Sequence, residues 1–369
     1  MAFETDFVVR KIFFLVMMIA LAMNAYAESA EDSIHTELAA STEGMIEAQK
    51  GKKEPLALRL IHTVSNFLMD CDSSYVTRVP YNFTAEVETS YWHDYYLMRS
   101  TETRNFMTIE SEPSLVVGGY LYYSFIGYGL SYNLNDIGKP KGETNGTGIR
   151  QSLVINTAKF FAELYTFNSG KTAEITGISN MNIRGKDNRF RGLNARCNGL
   201  SMMYIFNNKH FSWPAAYEGS AVQRRSCGSW GLGFQYNHQD LHFNREELPE
   251  HIKNDIDPTL MFNEVSYHDY SINTGYSYNW VLKRNCLFGV SALPSIGYRR
   301  SNITEASEYH SILNNISTDL NFRSSLVWNN TRWFTKLMAE LHTYSYRKEK
   351  FGLTNTYGTL SFVLGFQFL

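Results

Sequence analysis

The sequence predicts an all-β protein, a closed antiparallel transmembrane β-barrel of about twelve strands with an N-terminal amphipathic helix. Three observations point there. The last stretch, Tyr357 to Leu369, alternates with period two: Leu360, Phe362, Leu364, Phe366 and Phe368 fall on one side, and Thr359, Ser361, Gly365 and Gln367 on the other, with Val363 the only apolar inward residue. An outer face this apolar needs a cover, and a membrane barrel finds it in lipid. The same alternation recurs back along the chain to about Tyr81. Composition agrees: aromatics make up 15% of residues against 19% charged, as expected of strands with aromatic girdles. A mean hydropathy of −0.30 is too polar for a helical membrane protein, because half of each barrel strand faces water. A net charge of −2 carries no nucleic-acid footprint, so no nucleic-acid partner is expected.

The N-terminus reads as an export signal. Arg10 and Lys11 precede the apolar run Ile12 to Met23, and Asn24-Ala25-Tyr26-Ala27 ends in an A-x-A site, which predicts a signal peptide over 1–27. The run is too short to span a bilayer, and Glu28 in place of Cys argues against a lipoprotein. Residues 28–54 are polar and read as a flexible periplasmic lead. From Pro55, the shared face of Ala57, Leu60, Ile61, Val64, Phe67 and Leu68 predicts an amphipathic helix over 55–72, which packs on the barrel base, enters the lumen as a plug or lies on the membrane surface, the first being favoured.

Residues 73–369 are assigned to the barrel. The first strand, about Tyr81 to Met98, sets Phe83, Ala85, Val87 and Tyr91 against Thr84, Glu86, Glu88 and Ser90. Ser114 to Tyr123 and Ile126 to Asn135 form a tight pair, followed by Ile149 to Asn156, Lys159 to Asn168 and Leu193 to Asn207. Ser226 to Gln239 turns Trp230 and Phe234 outward against Gly231 and Gly233. Tyr267 to Val281 does the same with Tyr276 and Trp280, and Cys286 to Arg299, Asn314 to Trp328 and Thr331 to Tyr346 continue the series. With the last strand the number is even, as closed bacterial barrels require.

Connections alternate as a barrel with periplasmic ends demands. Ser100 to Pro113, Asp136 to Gly148, Gly170 to Gly192, Asp240 to Ser266, Arg300 to Leu313 and Arg347 to Thr356 are expected as long outer loops. Ser124-Phe125, Thr157-Ala158, Leu282 to Arg284 and Asn329-Asn330 are expected as tight inner turns. Asn208 to Arg225 breaks the rule: either it folds under the barrel or the strand count is wrong there. Cys71, Cys197, Cys227 and Cys286 have no metal-like spacing, and Cys197 and Cys227 fall at opposite ends of neighbouring strands, so free thiols are expected.

Several segments also carry a resemblance. DSSYVTRVPYNFTAEV from Asp72, HDYYLMRS from His93, EPSLVVGGYLYYSFIGYGLSYNL from Glu112, FSWPAAYEGSAVQRRSCGSW from Phe211 and YSINTGYSYNWVLKRNCLFGVSALPSIGY from Tyr270 resemble the domain of unknown function 4421 group of Bacteroidota. The resemblance runs from about Asp70 to the C-terminus. It implies an outer-membrane barrel with no established activity and supplies no catalytic residues.

Signatures of chemistry are scarce. There is no G-x-S-x-G elbow, no H-E-x-x-H, no P-loop and no EF-hand string, so no cofactor, metal or catalytic site is assigned. The enzymatic alternative is an outer-membrane lipid hydrolase or acyltransferase, for which His238, Asp240 and His242 lie across a long loop from Ser266 and His268. A soluble ligand-binding barrel is the other alternative. The inward charges Glu86, Glu88, Asp319, Arg323, Lys336 and Glu340 sit on strands that meet when the barrel closes, and are expected to pair across a narrow or plugged lumen. Trp230, Phe234, Tyr276, Trp280, Phe362 and Phe366 are expected to face lipid. The expected partners are outer-membrane lipid and, through the C-terminal strand, the barrel-assembly machinery.

Overall fold

The computed structural model describes residues 67–136, 149–179, 181–253, 256–257, 260, 264–304, 310–347 and 351–368. The expected signal peptide and lead, and all but the end of the expected 55–72 helix, lie outside them.

Twelve strands close the barrel: β2 (Phe83–Ser100), β4 (Ser114–Tyr123), β5 (Ile126–Asn133), β6 (Ile149–Asn156), β7 (Phe160–Ile178), β8 (Arg189–Ile205), β10 (Cys227–Phe243), β11 (Glu264–Lys283), β12 (Cys286–Thr304), β13 (His310–Asn329), β14 (Trp333–Arg347) and β15 (Phe351–Phe368). Neighbours in the circuit are antiparallel, and β15 returns to β2 in continuous register from Phe351↔Ser100 to Phe368↔Phe83. Closure leaves no exposed sheet edge in hydrocarbon, where an unpaired amide has no partner. The inner turns are as short as expected. Ser124, Asn285 and Thr331 adopt positive φ in them, and the Asn330 side chain accepts from the Trp333 amide at 2.8 Å.

The outer face is built for oil. Trp230 is 60% exposed and Ile316 74%, with Val87, Leu121, Ile272, Ile296, Phe362 and Leu364 also exposed, while the inward Glu86, Asp319 and Lys336 are buried. A soluble barrel has the opposite arrangement. Each Val, Leu, Ile, Phe or Met on this belt gains roughly 1.5–3 kcal/mol when fully covered by hydrocarbon.

The long outer loops are corrected in part by the structure, for strand extends into five of the six, while residues 137–148 lie outside the described residues. β7 runs through Gly170 to Ile178, β10 to Phe243 and β12 to Thr304, and a short strand β3 (Phe106–Ser111) lies within the first expected loop. Most wall strands have 17–20 residues, where about 9–11 cross a bilayer. Beyond the membrane the two faces exchange chemistry; in β10 the phase of the alternation holds throughout, while β7 and β8 shift register between Lys171 and Ala173. In β10 the buried positions run Ser229, Gly231, Gly233, Gln235, Asn237 and then Leu241 and Phe243, and the outward ones run Trp230, Leu232, Phe234, Tyr236 and then His238, Asp240 and His242. The outer tier is thus an ordinary water-facing β structure with an apolar interior. Met98, Met107, Ile109, Ile175, Phe190, Leu193, Leu241, Phe243 and Tyr267 form one buried cluster there. Leu248, Ile252 and Leu260 join it from the β10–β11 connection, which includes the helical turn α2 (Glu250–Lys253).

β3 also changes the girth. It pairs with Tyr95–Arg99 of β2 and with the outer half of β7, above the short strands β4, β5 and β6. One strand in the outer tier therefore does what three do in the membrane, and the outer ring is the narrower one.

Spin labels give a direct check of the exchange. Labels at Trp230, Ile296 and Phe362 are expected to be relaxed by lipid-soluble oxygen. Labels at His242 and Glu264, on the same outward face, are expected to respond to an aqueous nickel reagent instead.

Candidate functional site: a polar chamber

The connection 208–225, the exception among the inner turns, folds into the mouth of the barrel on the side of those turns. Ser212 caps a single turn, α1 (Trp213–Tyr217), by accepting from the Ala215 amide at 3.1 Å, and Pro214 suits the first turn. Trp213, Ala215, Ala216 and Tyr217 are all buried, packed with inward Phe161, Met203, Leu287, Leu293 and Val327 of the wall. Strand β9 (Ala221–Gln223) pairs with β1 (Val76–Arg78), so the chain just before the barrel lies along the plug. Lys209 pairs with Asp70 and holds its carboxyl below the usual range.

Polar side chains from the wall bind the plug's backbone. Asn279 donates to the Ser212 carbonyl at 2.8 Å, Asn329 and Gln367 both donate to the Gly219 carbonyl at 2.7 and 2.8 Å, and Lys336 donates to the Tyr217 carbonyl at 3.0 Å. Gly219, at φ +78°, lies against the Phe334 ring, where a Cβ would collide. The inward Asn and Gln of the strands are therefore acceptor-matched anchors, which a buried loop needs to satisfy its backbone.

Above the plug is a cavity of ≈ 110 Å³ lined by Glu86, Glu88, Arg150, Glu163, Arg323, Lys336 and Glu340, with Trp92, Tyr120, Tyr122 and Tyr217 among its walls. Each of its three cations is paired. Lys336 meets Glu86 at 3.1 Å, Arg323 meets Glu340 at 2.8 Å and Arg150 meets Glu163 at 3.4 Å. Arg150 also lies over the Trp92 ring at 5.2 Å. Glu88 accepts from Ser90, and Tyr122 donates to Glu218 at 3.0 Å. Nearer the outer tier, the buried Arg299 bonds Asp269 at 2.9 Å, lies 3.7 Å from Asp319 and stacks under Tyr267.

All six inward charges singled out in the sequence face this interior. Glu86, Lys336, Arg323 and Glu340 come together in two pairs, and Asp319 joins Arg299. Arg150, Glu163, Arg299 and Asp269 were not singled out. Arg150 and Glu163 sit on strands of weak alternation, and Asp269 was passed over next to the strand's outward tyrosines. Trp230, Phe234, Tyr276, Trp280 and Phe362 are exposed on the outer face, while Phe366 is half-buried against Trp333. All four cysteines are free.

The residues of the hydrolase alternative do meet, on the outward face of the outer tier. Ser266 donates to Asp240 at 2.6 Å, His238 lies 3.2 Å from the same oxygen, and Tyr236 bonds His268 at 3.0 Å. Asp240 stands between serine and histidine, so the order nucleophile, base, orienting acid is not formed.

With this geometry in place, a family model matches residues 70–368, and the chain belongs to the family described as Domain of unknown function (DUF4421). No curated protein sequence matches it. Among solved structures it is similar to the outer membrane protease OmpT from Escherichia coli, at 9% identity and TM-score 0.37, covering 79% of this chain and 98% of that one. It is also similar to the COG4313 outer membrane channel from Pseudomonas putida F1, at 13% identity and TM-score 0.33, covering 79% and 97%. Ail of Yersinia pestis, at 8% identity and TM-score 0.23, covers 76% and 98%.

The Lys336–Glu86 pair gives a test of the chamber. Lys336→Met leaves a buried carboxylate alone and frees the plug's Tyr217 carbonyl, at an expected cost of about 3–5 kcal/mol. Glu86→Gln combined with Lys336→Met is expected to recover part of it. Urea unfolding of the barrel in lipid vesicles reads both.

Proposed function

We propose that the chain is an exported outer-membrane barrel of a Gram-negative cell, non-enzymatic and non-conducting at rest, acting in envelope structure or surface binding through its outer tier. One observation carries this reading: the lumen is filled at two levels. The plug around Trp213 occupies the periplasmic mouth, and the apolar cluster around Phe190 and Phe243 occupies the outer ring. Passive transport would require both fillings to move. Insertion by the barrel-assembly machinery through β15, after cleavage of the signal at Ala27, fits the exposed apolar face of that strand and the basic, apolar and A-x-A order at the N-terminus.

In planar bilayers the refolded protein is expected to give no steady conductance. Trp213→Ala is expected to stay silent too, because the outer cluster remains. Steady wild-type current would defeat the proposal. Labelled phospholipid is expected to remain uncleaved, with no difference between the wild type, Ser266→Ala and His238→Ala; turnover lost in either variant would establish the hydrolase instead.

A further inference from the structure

The outward faces of β8, β10, β11 and β12 form a ladder whose chemistry changes row by row. Cross-strand register sets Met202, Phe234, Ile272 and Ile296 in successive apolar positions. The next row outward is Leu200, Tyr236, Tyr270 and Tyr298, with the Tyr236 and Tyr270 rings 5.1 Å apart. Beyond it come Asn198, His238, His268 and Arg300, and then Arg196, Asp240 and Ser266. Tyrosines of this kind mark the edge of the hydrocarbon. One row is two residues, about 7 Å along a strand and about 5 Å along the membrane normal at a tilt near 40°. The headgroup layer is about 5–7 Å deep in each leaflet. The row of His238, His268 and Arg300 therefore lies at headgroup depth, and Arg196, one row further out, reaches the outer edge of that layer with its long side chain.

Among the described residues the charge of the two arginines is not spent in an ion pair, and both Arg196 and Arg300 are exposed. Asp240, the acid between them, is taken up by Ser266 and His238. The His238 and His268 rings meet edge to face at 4.2 Å, which leaves a polar floor between the two arginines. Three strand spacings separate those arginines, about 14 Å. On β14 and β15, by contrast, the outward positions beyond Leu341 and Leu360 carry no charge: they are Thr343, Ser345, Gly358, Thr356 and Thr354.

We infer that Arg196 and Arg300, with His238 and His268 between them, form a binding site for the phosphate groups of an outer-leaflet lipid headgroup. Two arginines presented at this depth suit phosphate oxygens, which accept paired guanidinium donors. The same anion could come from a lipid or from solution, and the position directly above the tyrosine row selects the lipid. The inference rests on the membrane placement proposed above.

The test is native mass spectrometry of the full chain in detergent, loaded with lipid A or with the same lipid A stripped of its phosphates. The wild type is expected to retain the phosphorylated form preferentially, and Arg196→Gln combined with Arg300→Gln to lose roughly thirtyfold, the weight of two arginines at a charged membrane surface. Arg189→Gln, far out on the same tier, is expected to leave the preference intact. Equal retention of the two lipids, or a preference that survives in the double variant, overturns the site. Release of the lipid by inorganic phosphate assigns the site to a free anion and overturns the lipid. Both variants remain folded if they keep the barrel's circular dichroism, and the spin-label pattern tests the placement separately, so a failure of either claim is recognisable.

Discussion

Closure of β15 on β2 is the constraint from which the rest follows. In hydrocarbon an unpaired backbone amide costs several kcal/mol, so a sheet with a free edge cannot stay there. The first and last strands must therefore meet in register over their whole length, as Phe368↔Phe83 to Phe351↔Ser100 do. Closing the circle fixes the number of wall strands, and that number encloses a space wider than the inward Gly, Ser and Asn can fill. The remainder is filled by chain. Residues 208–225 enter from below and the β10–β11 connection from above, with paired charges between them.

Each filling suits its level. The outer tier stands in water, so the hydrophobic effect can hold its interior, and it packs as a soluble domain does. Within the membrane, lipid already covers the apolar belt and the lumen must accommodate polar groups. Hence the carbonyls of the plug are met by Asn279, Asn329, Gln367 and Lys336, and the carboxylates by Lys336, Arg323, Arg150 and Arg299. Buried ion pairs add little net stability when intact and cost much when broken, so they define one arrangement of the lumen more than they strengthen it.

The membrane half was readable because its two faces differ in solvent. Trp230, Leu232 and Phe234 against Gly231 and Gly233 form a signal of period two with opposite chemistries, and each strand located this way lies in the wall. The outer half was hidden by the same rule. At His238 the outward face turns polar and at Leu241 the inward face turns apolar, so a search for apolar-out alternation ends there although the backbone continues to Phe243. In β10 the phase does not slip; only the solvent changes. For the same reason β3 read as loop, since Met107 and Ile109 point inward. The lumen pairs that were found joined strands adjacent in sequence or across the closure, while Arg150 and Glu163 lay where Leu153, Val154 and Ile155 blurred the alternation.

The exchange of faces also explains why the outer rim gathers what chemistry the exterior has. A strand whose outward residues must be apolar cannot carry His, Asp or Arg until it clears the hydrocarbon, and the first rows beyond it are the shallowest place for them. Those rows on β8, β10, β11 and β12 carry Arg196, His238, Asp240, Ser266, His268 and Arg300 together. Their closeness therefore follows from a shared depth, which needs no catalytic explanation: the order Ser266, Asp240, His238 satisfies an acid with two donors, as a surface network does. Depth does not, however, require that two arginines on β8 and β12 have no ion pair among the described residues while the outward positions of β14 and β15 carry threonine and serine. That asymmetry is the feature of the rim that closure and solvent leave open, and an anion held at headgroup level would account for it.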